Sequence, residues 1–369
     1  MSLLKRKPKN FENYSANKGV WKKLKQNKMA MFSLVIIGFF TLIAVLGYTI
    51  TPDQTPYSNQ QYLEIAAQKP LFKVDFLRIY DSVPVQKKNF FKHLAFGTPN
   101  PYTSQPICKH WEDKNYLYAE PYSNLSSSEK EIIRLDKQKS KYEVKSQRYY
   151  LGTDRYGRDM LSQLMIGTRV SLSVGFISIV ISLIIGVSLG AIAGYYGKWV
   201  DNLVMWLINV VWSIPTILLV IAITFALGKG FWQVFVAVGL TMWVDVARVV
   251  RGQILSLKEK EFVEAAQALG FKDSRIIIKH ILPNVVGATT VITASNFATA
   301  ILQEAGLSFL GIGVQPPMPS WGSMIKENYG YIILDAPYMA ILPGLAIMVL
   351  VLCFILLGSG LRQAMDVRG

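Results

Sequence analysis

The sequence predicts an all-α polytopic membrane protein with six spanning helices and one polar insert. Hydrophobic residues make up 51% of the 369 residues and charged residues only 17%, whereas soluble domains carry roughly a quarter charged residues. The apolar residues also come in blocks of about 20, the length that lets a helix cross a hydrocarbon core of roughly 30 Å. Composition and block length together exclude an ordinary soluble fold.

The positive charge is concentrated before the first apolar block. The formal net charge is +15, and nine Lys and Arg residues lie in the first 29 positions. This placement follows the positive-inside rule and argues against nucleic acid as a partner. Residues 1–28 are therefore predicted as a cytoplasmic basic tail, with a short surface helix at residues 18–28. Cys108 and Cys353 fall in unlike segments and indicate neither a disulfide nor a metal site, and we expect no cofactor.

Residues 29–50 form the first predicted span, and residues 51–149 then interrupt the pattern. This insert carries fifteen Lys and Arg and eleven Asp and Glu residues. Since long loops escape the positive-inside rule, we expect a small extracytoplasmic domain with a helix near residues 127–139. A lid, a docking platform and a spacer are all open as its role.

The remaining residues, 150–369, return to the membrane pattern. Asp159 is predicted to cap a short helix along the outer membrane surface, ahead of a second span at residues 170–195. Asp154 and Arg158 have the spacing of an ion pair across one helical turn. Small residues then recur every fourth position, at Ser178, Ser182, Gly186, Gly190 and Gly194. That stripe favours close packing of another helix over contact with a substrate.

The third span is predicted at residues 203–227 and contains a proline. Pro215 removes a helical hydrogen bond, and the freed carbonyl needs another donor. Asn209 and Ser213 lie one turn apart beside it. They either line a passage or belong to an ordinary proline kink.

The fourth span is predicted at residues 231–250, with Asp245, Arg248 and Arg251 at its cytoplasmic end. On this reading no span has an ionisable residue near its centre. An ion-coupled carrier would normally need one, so the pattern argues against that class.

The fifth span is predicted at residues 285–304. It has a second stripe of small residues and two polar exceptions, Asn296 and Gln303. Glu304 stands at its outer end, and a carboxylate close to the membrane is a functional candidate by default.

An outer loop rich in Gly and Pro is predicted at residues 305–337. Gln315 to Pro319 is expected to be stiff and extended because each proline restricts itself and its predecessor. Trp321 is expected at the headgroup level. The sixth span follows at residues 338–358, and six spans return both termini to the cytoplasm.

A charged loop at residues 254–284 joins the fourth and fifth spans and is patterned as a helical elbow. Good helix formers from Phe262 are stopped by Gly270, where a left-handed residue is wanted. Asp273 or Ser274 can cap a second helix that ends at Leu282, before Pro283. One apolar face is predicted, made of Phe262, Val263, Ala266 and Leu269, with Phe271 at the tip. The alternative is a helical hairpin lying on the membrane surface.

Five ordered motifs resemble a known family. Glu264, Ala265, Ala266 and Gly270, followed by Leu282 and Pro283, resemble the EAA loop of ABC importer membrane subunits. The others are LGTDRYGRD (151–159), SIPTILL (213–219), LSFLGIGVQPPMPSWG (307–322) and LLGSGLRQAMD (356–366). Together they resemble the C-type permease of the oligopeptide, dipeptide and nickel importers. The resemblance covers residues 29–50 and 150–369 and leaves out residues 51–149.

The resemblance implies a type I ABC importer permease. Its implied partners are a second homologous permease, two cytoplasmic ATPases, an extracytoplasmic solute-binding protein and the lipid bilayer. The implied cargo is short peptides, with nickel or another small solute as the alternative. The implied coupling residues are Phe262, Glu264, Ala265, Ala266, Leu269, Gly270 and Phe271.

Two further groups of residues are candidates for function. For the translocation path they are Asn209, Ser213, Pro215, Asn296 and Glu304. For contact with the binding protein at the outer side they are Asp154, Arg158, Asp159, Gln315 and Trp321.

The sequence has no residues for catalysis in these spans. It lacks the phosphate-binding GxxxxGK motif followed by Ser or Thr, so we expect no ATP hydrolysis by this chain. Its three histidines, His93, His110 and His280, lie outside the predicted spans. The rival class is an ATP-independent channel or carrier.

Overall fold

The computed structural model describes residues 16–80, 89–123, 132–138, 141–228 and 230–365. Long helices dominate it. The helices are α1 (Ala16–Gln26), α2 (Lys28–Ile50), α3 (Phe90–Phe96), α4 (Met160–Tyr196), α5 (Lys198–Trp212), α6 (Thr216–Leu227), α7 (Phe231–Lys258), α8 (Glu261–Ala268), α9 (Asp273–Arg275), α10 (Leu282–Phe309), α11 (Trp321–Asn328) and α12 (Tyr338–Met365). A π-helical turn, Ile276–Ile281, joins α9 to α10.

Six membrane spans are possible in the described residues. Five helical stretches, including α2, α4, α7 and α12, are each long and apolar enough to cross a membrane, and the pair α5 and α6 makes a sixth if counted as one span. The predicted kink at Pro215 is larger than expected, because α5 and α6 meet at 92°. Pro215 has no N–H to continue the helical ladder, and it stands at the start of α6.

The second span departs from prediction at its outer end. The expected surface helix and the expected span are one continuous helix of 37 residues, α4. Residues 160–170 contain no proline that would end the helix. Gly167 lies within the helix, where its Cα packs against the ring of Trp321. Asp159 does cap this helix, accepting a hydrogen bond from the Ser162 amide at 2.9 Å.

The stripe of small residues on α4 packs against α7 of the same chain. A Cβ added at Gly186 would lie 2.6 Å from Cβ of Val246, and one added at Gly190 would lie 2.5 Å from the carbonyl oxygen of Ala247. Ser178 donates a hydrogen bond to the carbonyl of Phe235 at 3.1 Å. The prediction of helix packing is confirmed, and these glycines allow the close approach.

The insert is a β domain, so the prediction of an all-α chain is wrong here. Its strands are β1 (Phe72–Tyr80), β2 (Tyr102–Glu112), β3 (Tyr116–Pro121), β4 (Ile133–Asp136) and β5 (Tyr142–Tyr149). They form one antiparallel sheet in the order β4-β3-β2-β1-β5. Residues 133–136, expected in a helix, are a strand, and the predicted helix residues 127–131 and 139 lie outside the described residues. Alternate apolar side chains that fill one face explain the strand form.

The loop after the fifth span is more ordered than predicted. The Gln315 to Pro319 segment turns back on itself, with the Met318 amide donating to the Gln315 carbonyl at 3.3 Å, so the extended form is wrong. Trp321 is fully buried at the start of α11 rather than at the headgroup level. Its indole N–H donates to the Leu164 carbonyl of α4 at 3.0 Å, and that bond lets the polar edge of the ring be buried.

The fourth span also continues past its predicted end. Residues 251–258 contain no proline, and α7 runs on to Lys258 through Gly252. Asp245 therefore lies near the middle of the 28-residue helix rather than at its end. The expectation that no span has an ionisable residue near its centre stays a prediction, because the helix is longer than a membrane core is thick.

Candidate functional site

The helical elbow after α7 ends its first helix with a glycine cap. Gly270 has φ of +75°, in the left-handed region. Its amide donates to the Gln267 carbonyl at 2.9 Å, and the Phe271 amide donates to the Ala266 carbonyl at 3.2 Å. This pair of bonds is the Schellman arrangement, which satisfies the last carbonyls of α8. The predicted stop at Gly270 is confirmed.

The apolar residues of α8 divide between two directions. Val263 and Ala266 are buried, whereas Phe262 is 41% exposed and Leu269 is 72% exposed. The single apolar face predicted for the four residues is therefore wrong. The two buried residues share one cluster with α4, α7, the π-helical turn and α10, made of Ala191, Tyr195, Val246, Val250, Ile254, Ile276, Ile281 and Val285. The helix is thus seated on the spans and still offers apolar surface outward.

The tip of the elbow is held by ring contacts. The rings of Phe271 and His280 are stacked, with centroids 5.8 Å apart. The Arg275 guanidinium lies 4.2 Å from the Phe271 ring centroid, in a cation–π contact. Phe271 also packs against the cluster that holds Val263. These contacts hold the tip against both arms of the elbow, which are α8 and the segment from Asp273 to Ile281.

The second arm differs from prediction. No side-chain cap forms at its start, because the Asp273 carboxylate accepts a hydrogen bond from the Tyr195 hydroxyl at 2.8 Å. The arm does not end at Leu282 but passes through the π-helical turn into α10, with Pro283 in the first turn of that helix. Proline is tolerated there because first-turn amides have no helical partner. A movement of the elbow would therefore act on α10 without a flexible joint.

The outward face of α8 carries an unpaired acid. Glu261, Glu264 and Ala265 are exposed. Among the described residues Glu264 forms no ion pair with Lys260, the neighbour one turn before it. The carboxylate is therefore free to meet a basic partner, beside the exposed ring of Phe262.

The candidate path residues have unlike surroundings. Asn209 and Ser213 are exposed at the end of α5, and the Ser213 hydroxyl donates to the Val210 carbonyl at 2.7 Å. Asn296 is buried, and its amide nitrogen has no partner. Glu304 is fully buried, accepting from the hydroxyls of Ser308 at 2.7 Å and Ser171 at 3.3 Å.

A small cavity lies where the third span breaks, and none of the five predicted path residues lines it. Its polar wall includes Thr216, Asp245 and Gln303. The position of Asp245 within a long helix was readable from the sequence. The sequence did not show that Asp245 lies near the break in the third span, because that depends on how α5, α7 and α10 pack.

The outer candidates are mostly buried, and Arg158 links the loop before α4 to α11 and to Asn59 of the insert. Arg158 forms an ion pair with Asp154, with Nε and Oδ2 2.6 Å apart, and a second pair with Glu327 of α11. Burial raises the pKa of the Asp154 carboxyl, and the Arg158 guanidinium opposes that rise. Asp159 is buried, while Gln315 is exposed and donates to the carbonyls of Gly311 and Gly313.

Several hydrogen bonds join the insert to the spans and to the loop before α4. The Asp53 amide donates to the Ser162 hydroxyl at 2.9 Å, and the Thr153 hydroxyl donates to the Ile65 carbonyl at 2.6 Å. Arg169 of α4 donates to carbonyls of α2 and α3, including that of Ala95 at 3.0 Å. In the described part of the chain no group of three His, Cys, Asp or Glu side chains is arranged to hold a metal ion.

A bundle of candidate spans with a rigid elbow between the fourth and fifth defines a polytopic membrane protein. Two family profiles match the chain. One is described as the binding-protein-dependent transport system inner membrane component, at residues 186–367. The other is the N-terminal transmembrane domain of oligopeptide transport permease C, at residues 15–70, which reaches further into the insert than the motifs predicted.

Relatives agree with the profiles. The dipeptide transport system permease of Alkalihalophilus pseudofirmus is 42% identical over 221 residues, 60% of this chain and 72% of the relative. The glutathione transport system permease of Pectobacterium atrosepticum is 42% identical over 221 residues, 60% and 73% of the two chains. The oligopeptide transport system permease of Bacillus subtilis is 36% identical over 250 residues, 68% and 80% of the two chains.

Among solved structures, the chain resembles the inward-facing MetNI methionine ABC transporter. The TM-score is 0.45 at 22% identity, over 56% of this chain and 97% of the other. The assignment rests on the sequence relatives. The chain belongs to the family of binding-protein-dependent ABC transport permeases, in the C-type branch. It is a membrane permease subunit and not itself an enzyme.

Proposed function

We propose that this chain is the membrane-spanning permease subunit of an ATP-driven importer that translocates short peptides delivered by a solute-binding protein. The relatives are named for dipeptide, oligopeptide and glutathione transport, and these cargoes share a short peptide character. The partners are a second homologous permease, two cytoplasmic ATPase subunits and the binding protein. The observation that carries the proposal is the elbow, a capped helix seated on the spans with an exposed outer face.

The elbow transmits force in this proposal. The exposed side chains Phe262, Glu264, Ala265 and Leu269 meet the ATPase. The buried side chains of Val263 and Ala266 carry the movement into α4, α7 and α10, because close-packed apolar contacts yield little. Gly270 and Phe271 keep the shape of the tip. Closure of the ATPases then rocks the spans between inward and outward openings.

Peptide uptake tests the function directly. A strain lacking this chain should lose uptake of a labelled dipeptide and regain it when the chain is restored. In proteoliposomes holding both permeases, both ATPases and the binding protein, uptake should require ATP. Uptake that continues without ATP would favour the channel or carrier class instead.

The proposed topology places the insert and α11 outside the cell membrane and the elbow and both termini in the cytoplasm. Cys108 is exposed, and so are Ser146 of the insert and Ser274 of the elbow. In spheroplasts an impermeant maleimide should label Cys108, and also a Ser146→Cys variant that lacks Cys108. A Ser274→Cys variant in the same background should react only after permeabilisation. Labelling of Ser274→Cys from outside would exclude contact between the elbow and a cytoplasmic ATPase.

A further inference from the structure

The cavity at the broken third span is lined by three parts of the bundle. Its volume is about 70 Å³. One wall comes from the α5–α6 break, the second from α7 and the third from α10. The lining residues are Val211, Trp212, Thr216, Leu219, Thr241, Met242, Asp245, Thr299 and Gln303. Discontinuous helices line the binding sites of many transporters, so a cavity at a helix break is a candidate binding site.

Its polar lining includes two strong acceptors, the Asp245 carboxylate and the side-chain oxygen of Gln303. Asp245 lies in the lining beside Trp212, and its carboxylate has about four lone-pair positions. The Gln303 side-chain oxygen is buried and has no partner. The Thr241 hydroxyl is already committed to the Val238 carbonyl at 2.8 Å. The cavity therefore offers acceptors that need donors, and a buried acceptor without one costs about 1–3 kcal/mol.

The charge of Asp245 is only partly balanced. Arg248 is the basic neighbour on α7, but its guanidinium lies over the Trp212 ring, 3.4 Å from the centroid. Among the described residues Arg248 forms no ion pair, whereas the next arginine, Arg251, is paired with Asp201. The free positions on the Asp245 carboxylate thus face the cavity without a protein cation bound to them.

The geometry points to a binding subsite for a primary ammonium group, the free N-terminal amine of a peptide crossing the membrane. An ammonium has three donors, which match the carboxylate of Asp245 and the oxygen of Gln303. A volume of about 70 Å³ is roughly twice the share of one water in the liquid, about 30 Å³. The cavity therefore has room for an ammonium group and the carbon that bears it. The subsite rests on the proposed function, since it assumes a peptide as cargo.

Uptake of two matched peptides tests this subsite. The ratio of uptake of alanyl-alanine to that of its N-acetyl form is measured for wild type, Asp245→Asn and Asp245→Glu, with the same binding protein throughout. The binding protein's own preference cancels when the ratios are compared. Asp245→Asn should lower the ratio about tenfold, equivalent to about 1.4 kcal/mol, and Asp245→Glu should largely restore it. An equal loss of both peptides would make Asp245 a structural residue and overturn the subsite.

A second measurement does not depend on transport. Thr299 lines the cavity and is exposed in the single chain, and Cys353 is buried. A Thr299→Cys variant with Cys108→Ser is purified with its partner subunits but without the binding protein, then treated with neutral methyl methanethiosulfonate. Alanyl-alanine should slow this reaction severalfold, its N-acetyl form should not, and Asp245→Asn should abolish the protection. A cavity that holds water alone gives no protection by either peptide, which overturns the subsite. Absence of wild-type uptake despite protection would overturn the proposed function instead.

Discussion

The elbow and the insert are both polar segments between spans, yet they are attached to the bundle in opposite ways. The elbow is seated mainly through buried apolar side chains such as Val263 and Ile281, beside hydrogen bonds from Tyr195 to Asp273 and from Lys258 to the Tyr195 carbonyl. The insert is tied to the loop before α4 by polar groups, among them Arg158, which donates to Asn59 of the insert at 3.3 Å and is itself paired with Asp154 and Glu327. Close-packed apolar contacts transmit a movement to the spans, whereas an ion pair out of water tolerates loss of a partner poorly. This difference fits an elbow that moves with its partner and an insert that stays fixed relative to the spans.

The largest effect is expected at the polar attachment, in Arg158→Met. The change leaves the carboxylates of Asp154 and Glu327 without their buried cation, and breaking such a pair costs about 3–5 kcal/mol. Thermal unfolding of the detergent-solubilised complex measures the loss. Arg155→Met is the control, because Arg155 is exposed and stacks on Tyr156, and its cost should stay below about 1 kcal/mol. Equal destabilisation by the two variants would contradict the account of the insert.

The same variant has a defined pH dependence. Burial already raises the pKa of Asp154 in the folded protein, and removing Arg158 takes away a group that lowers it. A carboxyl whose pKa is higher in the folded than in the unfolded state binds protons more tightly when the protein is folded. It therefore lowers the free energy of unfolding by its full amount only at pH values above its folded-state pKa. That effect shrinks as the pH falls towards the unfolded value of about 3.9. Arg158→Met should therefore be closer to wild type at pH 5 than at pH 8. A deficit that is independent of pH would show that the lost stability does not come from the uncompensated Asp154 carboxylate.

The next effect is expected at the tip of the elbow, in Gly270→Val. A Cβ at this position would meet nothing within 4 Å, so only the left-handed backbone is penalised. That penalty is about 1–2 kcal/mol for an L residue and is worse for a β-branched one. Uptake should fall at least fivefold while ATP hydrolysis by the complex persists, because the tip no longer holds its shape.

Two variants control for this change. Gly252→Ala adds a methyl group to α7 at a site where a Cβ also meets nothing within 4 Å, and its effect should be near zero. Gly270→Asn should retain most uptake, since Asn tolerates the left-handed region. Normal uptake by Gly270→Val would remove the elbow from the coupling mechanism.

These two regions also differ in how far the sequence predicts them. The helix from Phe262, the stop at Gly270 and the spans follow from periodicity and residue preference within a few turns of the chain. The contacts of Arg158 with Glu327 and of Ser162 with Asp53 join residues far apart in sequence, and no local pattern announces them. The sheet was missed for the same reason, because a short strand such as Ile133–Asp136 is stabilised by its neighbours.

The sequence predicted which residues belong to the candidate site better than it predicted which way their side chains face. Helix α8 was correctly placed, but whether Val263 or Phe262 faces the bundle depends on how α8 lies on α7, which a helical repeat alone does not fix. Residues 231–250 were predicted as the fourth span, and the helix α7 continues beyond them to Lys258.

A smaller effect is expected at the outward face of the elbow, in Glu264→Lys. The exposed carboxylate is unpaired within the described chain, so reversing its charge should weaken attraction to a basic ATPase surface without unfolding the helix. We expect co-purification of the ATPase to fall about threefold to tenfold, with unchanged levels of this chain in the membrane. Glu261→Lys, in the same exposed turn, is the matched control and should have less effect. Unchanged co-purification by Glu264→Lys would exclude this residue from the interface.

The smallest effect is expected from Tyr195→Phe, which removes the elbow's polar bond and leaves its apolar seat. The Tyr195 hydroxyl donates to Asp273 at 2.8 Å, and Asp273 is exposed, so water replaces the lost donor. The second contact at this place, from the Lys258 ammonium to the Tyr195 carbonyl, uses the backbone and is retained. Since a net hydrogen bond contributes about 0.5–1.5 kcal/mol and here one partner regains water, we expect a loss below about 1 kcal/mol and less than a twofold change in uptake. Thermal unfolding and uptake are measured beside Arg158→Met. If Tyr195→Phe were the more damaging variant, the elbow would be held by its polar bond, and the contrast between an apolar seat and a polar attachment would be reversed.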